Sequence, residues 1–227
     1  ITIARQFLVV SLFALAALLG LLSGVLFVYA GDVPAISALD DYAPSTISRV
    51  YGARGDIVGE FAIERREVIP YERISPYLEQ AILAAEDDGF YQHVGLSIPR
   101  IVVTLIKDII QRRMHGASTL TQQLTRKLFL TDDKTPERKI KEAILAIQIE
   151  KRYTKREIFT LYCNQMYFGH GVYGVESASR LYFGKSAKDV SIEEAALIAG
   201  ILQANVRQSP YVNREAALRR RNYALGR

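Results

Sequence analysis

Residues 75–95 read SPYLEQAILAAEDDGFYQHVG, and at this stretch the chain changes to a helical period. Ser75 followed by Pro76 is typical of a helix start, with a capping side chain and then a proline in the first turn. Apolar side chains then recur at one-turn intervals on one face. The stretch therefore predicts an amphipathic helix that ends at a cluster of acids beginning with Glu86.

Two carboxylates, Glu86 and Asp87, lie at the C-terminal end of this predicted helix, where the helix dipole disfavours negative charge. Because acids at that end cost stability, they favour a functional interpretation. A site of this kind tends to raise the pKa of a carboxylate, as a general acid or base near neutral pH requires. A solvated acidic loop is the alternative interpretation of this segment taken alone.

The remaining pattern predicts a mainly α fold with a small N-terminal β element. Before residue 73, β-like runs predict a small hairpin or three-stranded ribbon within 48–72; the runs cover 48–51, 57–63 and 67–69. From residue 73 to 227 the periodicity is helical. Beyond the first helix, helices are predicted over about 98–113, 118–128, 136–151, 155–167, 191–202 and from 213 onward.

A long apolar segment precedes this domain. Residues 7–30 are 24 in succession without a charge. At ~1.5 Å rise per residue they span a hydrocarbon core of ~30 Å. The apolar core of a signal peptide is shorter, and a buried helix is normally shorter and has some polar face. We therefore predict a single transmembrane helix within 1–30, followed by a linker over 31–47. Arg5 before the span and Asp32 after it favour an inside N-terminus.

Composition narrows the class of protein further. Hydrophobic residues make up 49% and charged residues 23%, which excludes general disorder. The net charge is +5 and basic residues crowd after residue 100, which suits an anionic ligand or a lipid headgroup surface. The single Cys163 excludes an internal disulfide framework. His93, His115 and His170 are too far apart for helical metal-ligand spacing, so no metal site is predicted.

Two further segments carry groups suited to an anion. In 116–124, GASTLTQQL, a glycine and a Ser/Thr cluster open a helix and leave N–H groups and hydroxyls for a phosphate. The alternative is that Ser118 is simply an N-cap. In 135–142, TPERKIKE, Arg138 and Glu142 share a helix face. One interpretation is a functional carboxylate held among cations. The alternative is an ordinary surface ion pair worth ~0.3–0.5 kcal/mol. The sequence contains no Walker loop, Rossmann fingerprint or G-x-S-x-G, so nucleotide and nucleophilic-serine chemistries lack support.

Taken in order, these segments resemble the glycosyltransferase family 51 domain of class A penicillin-binding proteins and monofunctional peptidoglycan glycosyltransferases. The family's five motifs are E-D-x-x-F-x-x-H-x-G, G-x-S-T-x-x-Q-Q, R-K-x-x-E, I-L-E-x-Y-L-N and R-R-x-x-V-L. They match, in that order, Glu86, Asp87, Phe90, His93 and Gly95; Gly116, Ser118, Thr119, Gln122 and Gln123; Arg138, Lys139 and Glu142; Ile158, Tyr162 and Asn164; and Arg220, Arg221 and Leu225. The departures from the usual pattern include Thr160 in place of Glu, Cys163 in place of Leu, and Ser97 where Asp is frequent.

The resemblance implies a lysozyme-like helical fold on the outer face of the bacterial inner membrane. It also implies an enzyme that polymerises lipid II into β-1,4-linked glycan, with inversion and release of undecaprenyl pyrophosphate. Glu86 and Glu142 are the implied catalytic residues, the first as general base and the second orienting cations or the pyrophosphate. The implied substrate-binding residues are Asp87, Phe90, His93, Ser118, Thr119, Gln122, Gln123, Arg126, Arg138, Lys139 and Asn164.

The implied partners are lipid II, the growing lipid-linked glycan, the membrane and cell-wall synthesis proteins. No nucleic acid partner is predicted, because the predicted anchor argues against one. The family often uses a divalent cation such as Mg²⁺ to bridge the pyrophosphate, and the sequence offers no dedicated protein cage for one.

Three other classes of protein stay open at this point. A lysozyme-like peptidoglycan-cleaving enzyme shares a catalytic glutamate and the fold, but needs no phosphate-suited set around Ser118, Arg126 and Arg138. A non-catalytic scaffold of the cell-wall machinery is suggested by the departures at Thr160 and Ser97, and opposed by the two glutamates. A membrane-tethered anion-binding module explains the anchor and the cations but not the ordered motifs.

Overall fold

The computed structural model describes residues 2–39, 44–111, 116, 118–131, 133, 135–204 and 206–227. Within these residues the protein is mainly helical, as predicted. The helices are α1 Thr2–Ala30, α2 Pro76–Glu86, α3 Ile98–Gln111, α4 Leu120–Phe129, α5 Pro136–Arg152, α6 Lys155–Gln165, α7 Val175–Phe183, α8 Ile192–Ile201 and α9 Arg214–Leu225. The strands are β1 Ser48–Tyr51, β2 Ile57–Phe61, β3 Arg65–Arg66 and β4 Val172–Tyr173.

The predicted helix starts are confirmed by their capping geometry. Ser75 caps α2, Thr135 caps α5, and Ser191 caps α8 in a capping box with Glu194. For α4 the N-cap is Thr119, so the interpretation of Ser118 as a plain cap is wrong. Residues 112–113 of the helix predicted over 98–113, and His115, lie outside the described residues.

Helix α7 was not predicted. Its sequence, VESASRLYF, follows Gly174 without a side-chain cap, and residues 175–179 are all buried. A helix of nine residues, with a glycine on each side and no side-chain cap, lacks the start signal on which the prediction depends and offers only about two turns of apolar spacing. Packing against neighbouring elements therefore determines α7.

The β element differs from the predicted ribbon. Strands β1 and β2 form the antiparallel hairpin, but β3 pairs in parallel with the distant β4, Arg65 facing Val172. The run 67–69 is not a strand, because side chains rather than a neighbouring strand satisfy its backbone. The Glu67 N–H donates to Ser177 Oγ at 2.8 Å, and the Asn164 amide bonds both the N–H and the carbonyl of Ile69.

The core lies around α6 and α8. Ile158, Phe159 and Tyr162 of α6 are fully buried. Most residues of α8 are also buried, and they are chiefly alanine and isoleucine. Helix α8 packs against both α2 and α9. This three-helix arrangement brings the C-terminal ends of α2 and α8 close to the middle of α9, where the candidate site lies.

Helix α1 covers the segment predicted as an anchor, and large apolar side chains along it are exposed, including those of Phe7, Phe13 and Phe27. Among the residues that the structure describes, a search finds no helix that is both long enough and apolar enough to span a membrane.

Candidate active site

A cleft of about 400 Å³ lies between the ends of α2 and α8, the first turns of α4 and one side of α9. Its lining comprises Ala85, Glu86, Arg100, Gly116, Ser118, Gln123, Arg126, Leu202, Gln203, Arg220 and Tyr223. Four residues predicted from two different sequence segments therefore meet in one cavity: Glu86, Ser118, Gln123 and Arg126.

Glu86 is the last residue of α2 and is half-buried. Gln123 Nε2 of α4 donates a hydrogen bond of 2.9 Å to Glu86 Oε2. The hydroxyl of the fully buried Tyr162 donates to Gln123 Oε1 at 3.2 Å. Burial and the nearby charge of Glu86 raise the pKa of Tyr162 well above its usual value, so this hydroxyl stays protonated. The Glu86 carboxylate is thus held by a side chain of the neighbouring helix α4, and Glu86 lines the cleft.

Asp87 follows Glu86 but has a different environment, since only 1% of it is exposed. Its Oδ2 accepts from the Leu120 backbone N–H at 2.8 Å and lies 3.0 Å from His93 Nε2, while Oδ1 lies 3.4 Å from Arg100. His93 Nδ1 accepts from the Gly95 N–H at 3.2 Å, so its proton is on Nε2 and donates to Asp87. The carboxylate therefore fastens the end of α2 to the N-terminus of α4, where the helix dipole favours negative charge.

Three other residues of the predicted binding set lie behind the cleft. Phe90 is fully buried and packs edge-on against Tyr91 at 5.2 Å between ring centroids. Thr119 and Gln122 form the capping box of α4, and Thr119 Oγ1 also donates to the Gly95 carbonyl at 2.6 Å. These side chains hold the loop that precedes α3 against α4.

A charged cluster on α5 surrounds Glu142, which is only 1% exposed. Its two carboxylate oxygens accept from Arg138 Nη1 and, at 2.6 Å, from Lys139 Nζ. Lys139 Nζ also donates to Ser118 Oγ at 2.7 Å, so the cluster reaches the cleft through Ser118. Burial, with the charges of Arg138 and Arg126, lowers the pKa of Lys139 to about 8. Two cations paired with one carboxylate leave a net positive charge beside the cleft.

Asn164 does not meet the other predicted residues. Its Oδ1 accepts from the Ile69 N–H at 2.9 Å, and its Nδ2 donates to the carbonyls of Ile69 at 2.8 Å and Thr160 at 3.0 Å. The side chain therefore ties α6 to the segment after β3. Thr160, one of the departures from the motif pattern, has its hydroxyl bonded to the Arg156 carbonyl on the exposed side of α6.

Sequence reasoning missed four polar side chains of the cleft: Arg100, Gln203, Arg220 and Tyr223. Arg220 stood in the fifth motif match, which was a signal, whereas Arg100 and Gln203 carry no local signature. In the described part of the chain no three His, Cys, Asp or Glu side chains are grouped so that they could hold a metal ion.

Comparison with known proteins gives the family. The sequence model of transglycosylases matches residues 54–227, which include every residue of the cleft. The chain belongs to the transglycosylase family. This match confirms the resemblance drawn from the five motifs.

Full-length relatives place this transglycosylase sequence within longer proteins. It is 40% identical over 214 residues to penicillin-binding protein 1A of Aquifex aeolicus, covering 94% of this chain and 29% of that protein. It is 39% identical over 180 residues to penicillin-binding protein 1F of Bacillus subtilis, covering 79% and 25%. A solved structure of penicillin-binding protein 1A from Haemophilus influenzae aligns with 81% of this chain and 18% of its own, at 21% identity and a TM-score of 0.43. The chain thus spans less than a third of the length of these relatives.

Proposed function

We propose that this transglycosylase chain is a peptidoglycan glycosyltransferase that polymerises lipid II into β-1,4-linked glycan strands. The observation that carries the proposal is one cleft in which Glu86 shares the lining with Ser118 and Arg126. A base and a cationic, hydroxyl-bearing wall in the same cavity suit a reaction that deprotonates a sugar hydroxyl and expels a pyrophosphate. Membership of the family supports the same reaction.

In this mechanism Glu86 takes the proton from the 4-hydroxyl of the acceptor sugar. The deprotonated oxygen attacks C1 of the donor sugar from the face opposite its pyrophosphate. The new C–O bond forms as the bond from C1 to the pyrophosphate oxygen breaks, which inverts the anomeric centre. The proton stays on Glu86, and the electron pair leaves with undecaprenyl pyrophosphate.

The leaving group gains negative charge, and fixed cations stabilise it without reorganisation. Arg126, Arg138 and Lys139 are the candidates, with Ser118 as a hydrogen-bond donor. Their positions are set before substrate binds, because Glu142 accepts from both Arg138 and Lys139, and Lys139 in turn contacts Ser118. Glu142 therefore orients the cations, and its burial keeps that arrangement rigid.

The divalent cation suggested by the resemblance would neutralise charge on the pyrophosphate. The described residues do not fit a protein-held cation, since they contain no group of three ligating side chains that could hold one. We therefore derive no step through it.

The proposal also includes a location. On the strength of their sequence, we place residues 7–30 in the bacterial inner membrane as a single-pass anchor, with the catalytic part on the outer face, where lipid II and its growing product are found. Support comes from the 24 uncharged residues of 7–30 and from exposed apolar side chains on α1 and α3. Confining enzyme and lipid substrate to one plane raises their effective concentration.

The test is incubation of the detergent-solubilised protein with labelled lipid II, with products resolved by gel electrophoresis. We expect a ladder of long glycan from the wild type and none from Glu86→Gln. Glu215→Gln is the matched control, because that side chain is 87% exposed at the start of α9, and it should polymerise normally. Shortening of pre-made glycan without polymerisation would identify a cleaving enzyme. Neither activity from folded protein would favour a scaffold.

A further inference from the structure

The side of the cleft formed by α8 and α9 has no role in the mechanism above. It consists of Leu202, Gln203, Arg220 and Tyr223, and we call it the α8–α9 wall. We infer that Arg220 is a substrate-binding residue that holds an oxyanion of the acceptor substrate in the cleft. The inference rests on the proposed function and adds a second anion-binding position to it.

The guanidinium of Arg220 has an unsatisfied donor. Arg220 Nε is buried, and within the described part of the chain it has no hydrogen-bond partner. Leaving a buried donor unsatisfied is costly, so such a group in a native cleft calls for an explanation. Arg220 lines the cleft, so a ligand bound there would supply the missing acceptor oxygen.

Its two neighbours on α9 differ from it. Arg219 lies 3.5 Å from Glu215 with 70% of its side chain exposed, and Arg221 donates to Asn222 at 2.9 and 3.1 Å. Among the described residues Arg220 forms no ion pair, and its recorded contact is with the face of the Tyr223 ring, 4.7 Å from Cζ to the centroid. A cation held by stacking keeps its N–H groups available for an anion.

The backbone of Arg220 is held in a fixed position by α8. A Cβ placed on Gly200 of α8 would lie 3.1 Å from Arg220 Cβ and 3.2 Å from the Arg220 carbonyl carbon. The two helices are therefore in backbone contact at this point, which fixes Arg220 relative to the end of α8. With the backbone fixed by α8 and the side chain stacked on Tyr223, the guanidinium is preorganised for binding.

The class of ligand follows from the two substrates of polymerisation. Polymerisation requires two lipid-linked substrates in the site together, and each carries a diphosphate. Ser118, Arg126 and the α5 cluster serve the leaving pyrophosphate of the donor. Arg220 is on a different helix of the same cleft, so it is placed to take an oxyanion of the other substrate. Both the acceptor's diphosphate and the carboxylates of its peptide have this chemistry, and the experiment separates them.

The experiment compares the wild type with Arg220→Gln, Arg220→Lys and the control Arg219→Gln. In polymerisation assays we expect Arg220→Gln to raise KM for lipid II about tenfold, equivalent to ~1.4 kcal/mol, with a smaller change in kcat. Arg220→Lys should restore part of the loss, since it keeps the charge but not the planar donors. Arg219→Gln should match the wild type, and circular dichroism should show equal helix content throughout.

Binding is measured separately by calorimetry with micelles containing lipid II. A tenfold weaker binding in Arg220→Gln supports the inference even if no variant polymerises, in which case the proposed function alone fails. Repeating the titration with undecaprenyl pyrophosphate, and with the disaccharide peptide lacking lipid and diphosphate, shows which oxyanion is held. If Arg220→Gln and Arg219→Gln give the same KM and the same affinities, or differ only in thermal stability, the inference is overturned.

Discussion

Gln123 Nε2 and Glu86 Oε2 are joined by a hydrogen bond of 2.9 Å between helices α4 and α2. The same Gln123 side chain accepts from the buried Tyr162 hydroxyl through its carbonyl oxygen. Because both ends of the amide are used, its orientation is fixed, and the donor always faces Glu86. The orientation of the proposed base therefore depends on a third helix, α6, that does not reach the cleft.

Replacing Gln123 by Leu removes both hydrogen bonds. We expect the free energy of unfolding to fall by about 1–3 kcal/mol, because the buried Tyr162 hydroxyl loses its partner. We also expect kcat to fall at least about tenfold, since Glu86 loses the donor that orients it. Urea unfolding and the polymerisation assay measure the two effects.

Tyr162→Phe separates these effects, because it removes the hydroxyl but keeps the contact between Gln123 and Glu86. It should lose about 0.5–1.5 kcal/mol of stability and retain most of its activity. Equal losses of activity in Tyr162→Phe and Gln123→Leu would show that the hydrogen bond to Glu86 is not what matters.

The glycine that ends the first motif, Gly95, is required by backbone geometry. It has φ of +94°, and a Cβ there would lie 2.8 Å from the backbone of Ala146 on α5. Gly95→Ala should therefore lower the free energy of unfolding by at least about 1–3 kcal/mol. Gly89→Ala is the matched control, since Gly89 has φ of −94° and open space around its Cα. Thermal unfolding that is equally affected in both variants would contradict this account.

Much of the helical framework and four residues of the cleft could be predicted from the sequence, because the responsible chemistry is local. Ser75, Thr135 and Ser191 each precede an apolar periodic run, and each caps its helix. Glu86 is the last residue of α2, and Ser118 directly precedes the N-cap of α4. Such positions are determined within about one turn of the chain.

The remainder depends on contacts between distant segments. Residues 67–69 form a β-like run in the sequence, yet their backbone partners are Ser177 and Asn164, about a hundred residues later. Arg100 lines the cleft from α3, where it pairs with Asp87, and Gln203 lines it from just after α8; no motif encodes either position. Asn164 matches a motif of the family, but a motif match does not say whether a side chain contacts substrate or backbone.

Asn164 allows that question to be tested. Replacing it by Ala leaves the buried N–H and carbonyl of Ile69 without partners, at about 1–3 kcal/mol each, or roughly 2–6 kcal/mol in total. At a temperature where the variant is folded, we expect kcat and KM close to those of the wild type. Thr160→Ala, on the exposed side of the same helix, should change neither. A raised KM in a stable Asn164→Ala protein would instead make Asn164 a substrate-binding residue.

The lowered pKa of Lys139 predicts an alkaline limit to activity. Lys139 loses its charge as the pH rises through about 8, and a neutral amine holds a pyrophosphate poorly. We therefore expect kcat/KM, which reports the free enzyme, to fall above about pH 8. In kcat the limit should lie higher, because bound pyrophosphate stabilises the protonated amine. Lys139→Arg should move the limit of kcat/KM upward, since a guanidinium stays charged throughout this range.

Stability should change in the opposite direction over the same pH range. Between about pH 8 and the ordinary value of 10.5, the unfolded chain binds the Lys139 proton more tightly than the folded protein does. The contribution of Lys139 to stability therefore rises with pH in this window, while activity falls.

For the alkaline limit of activity, Lys141→Arg is the control on the same helix, because its pairing with Glu137 raises the pKa of Lys141. If Lys141→Arg moved the alkaline limit as far as Lys139→Arg, the limit would belong to some other group.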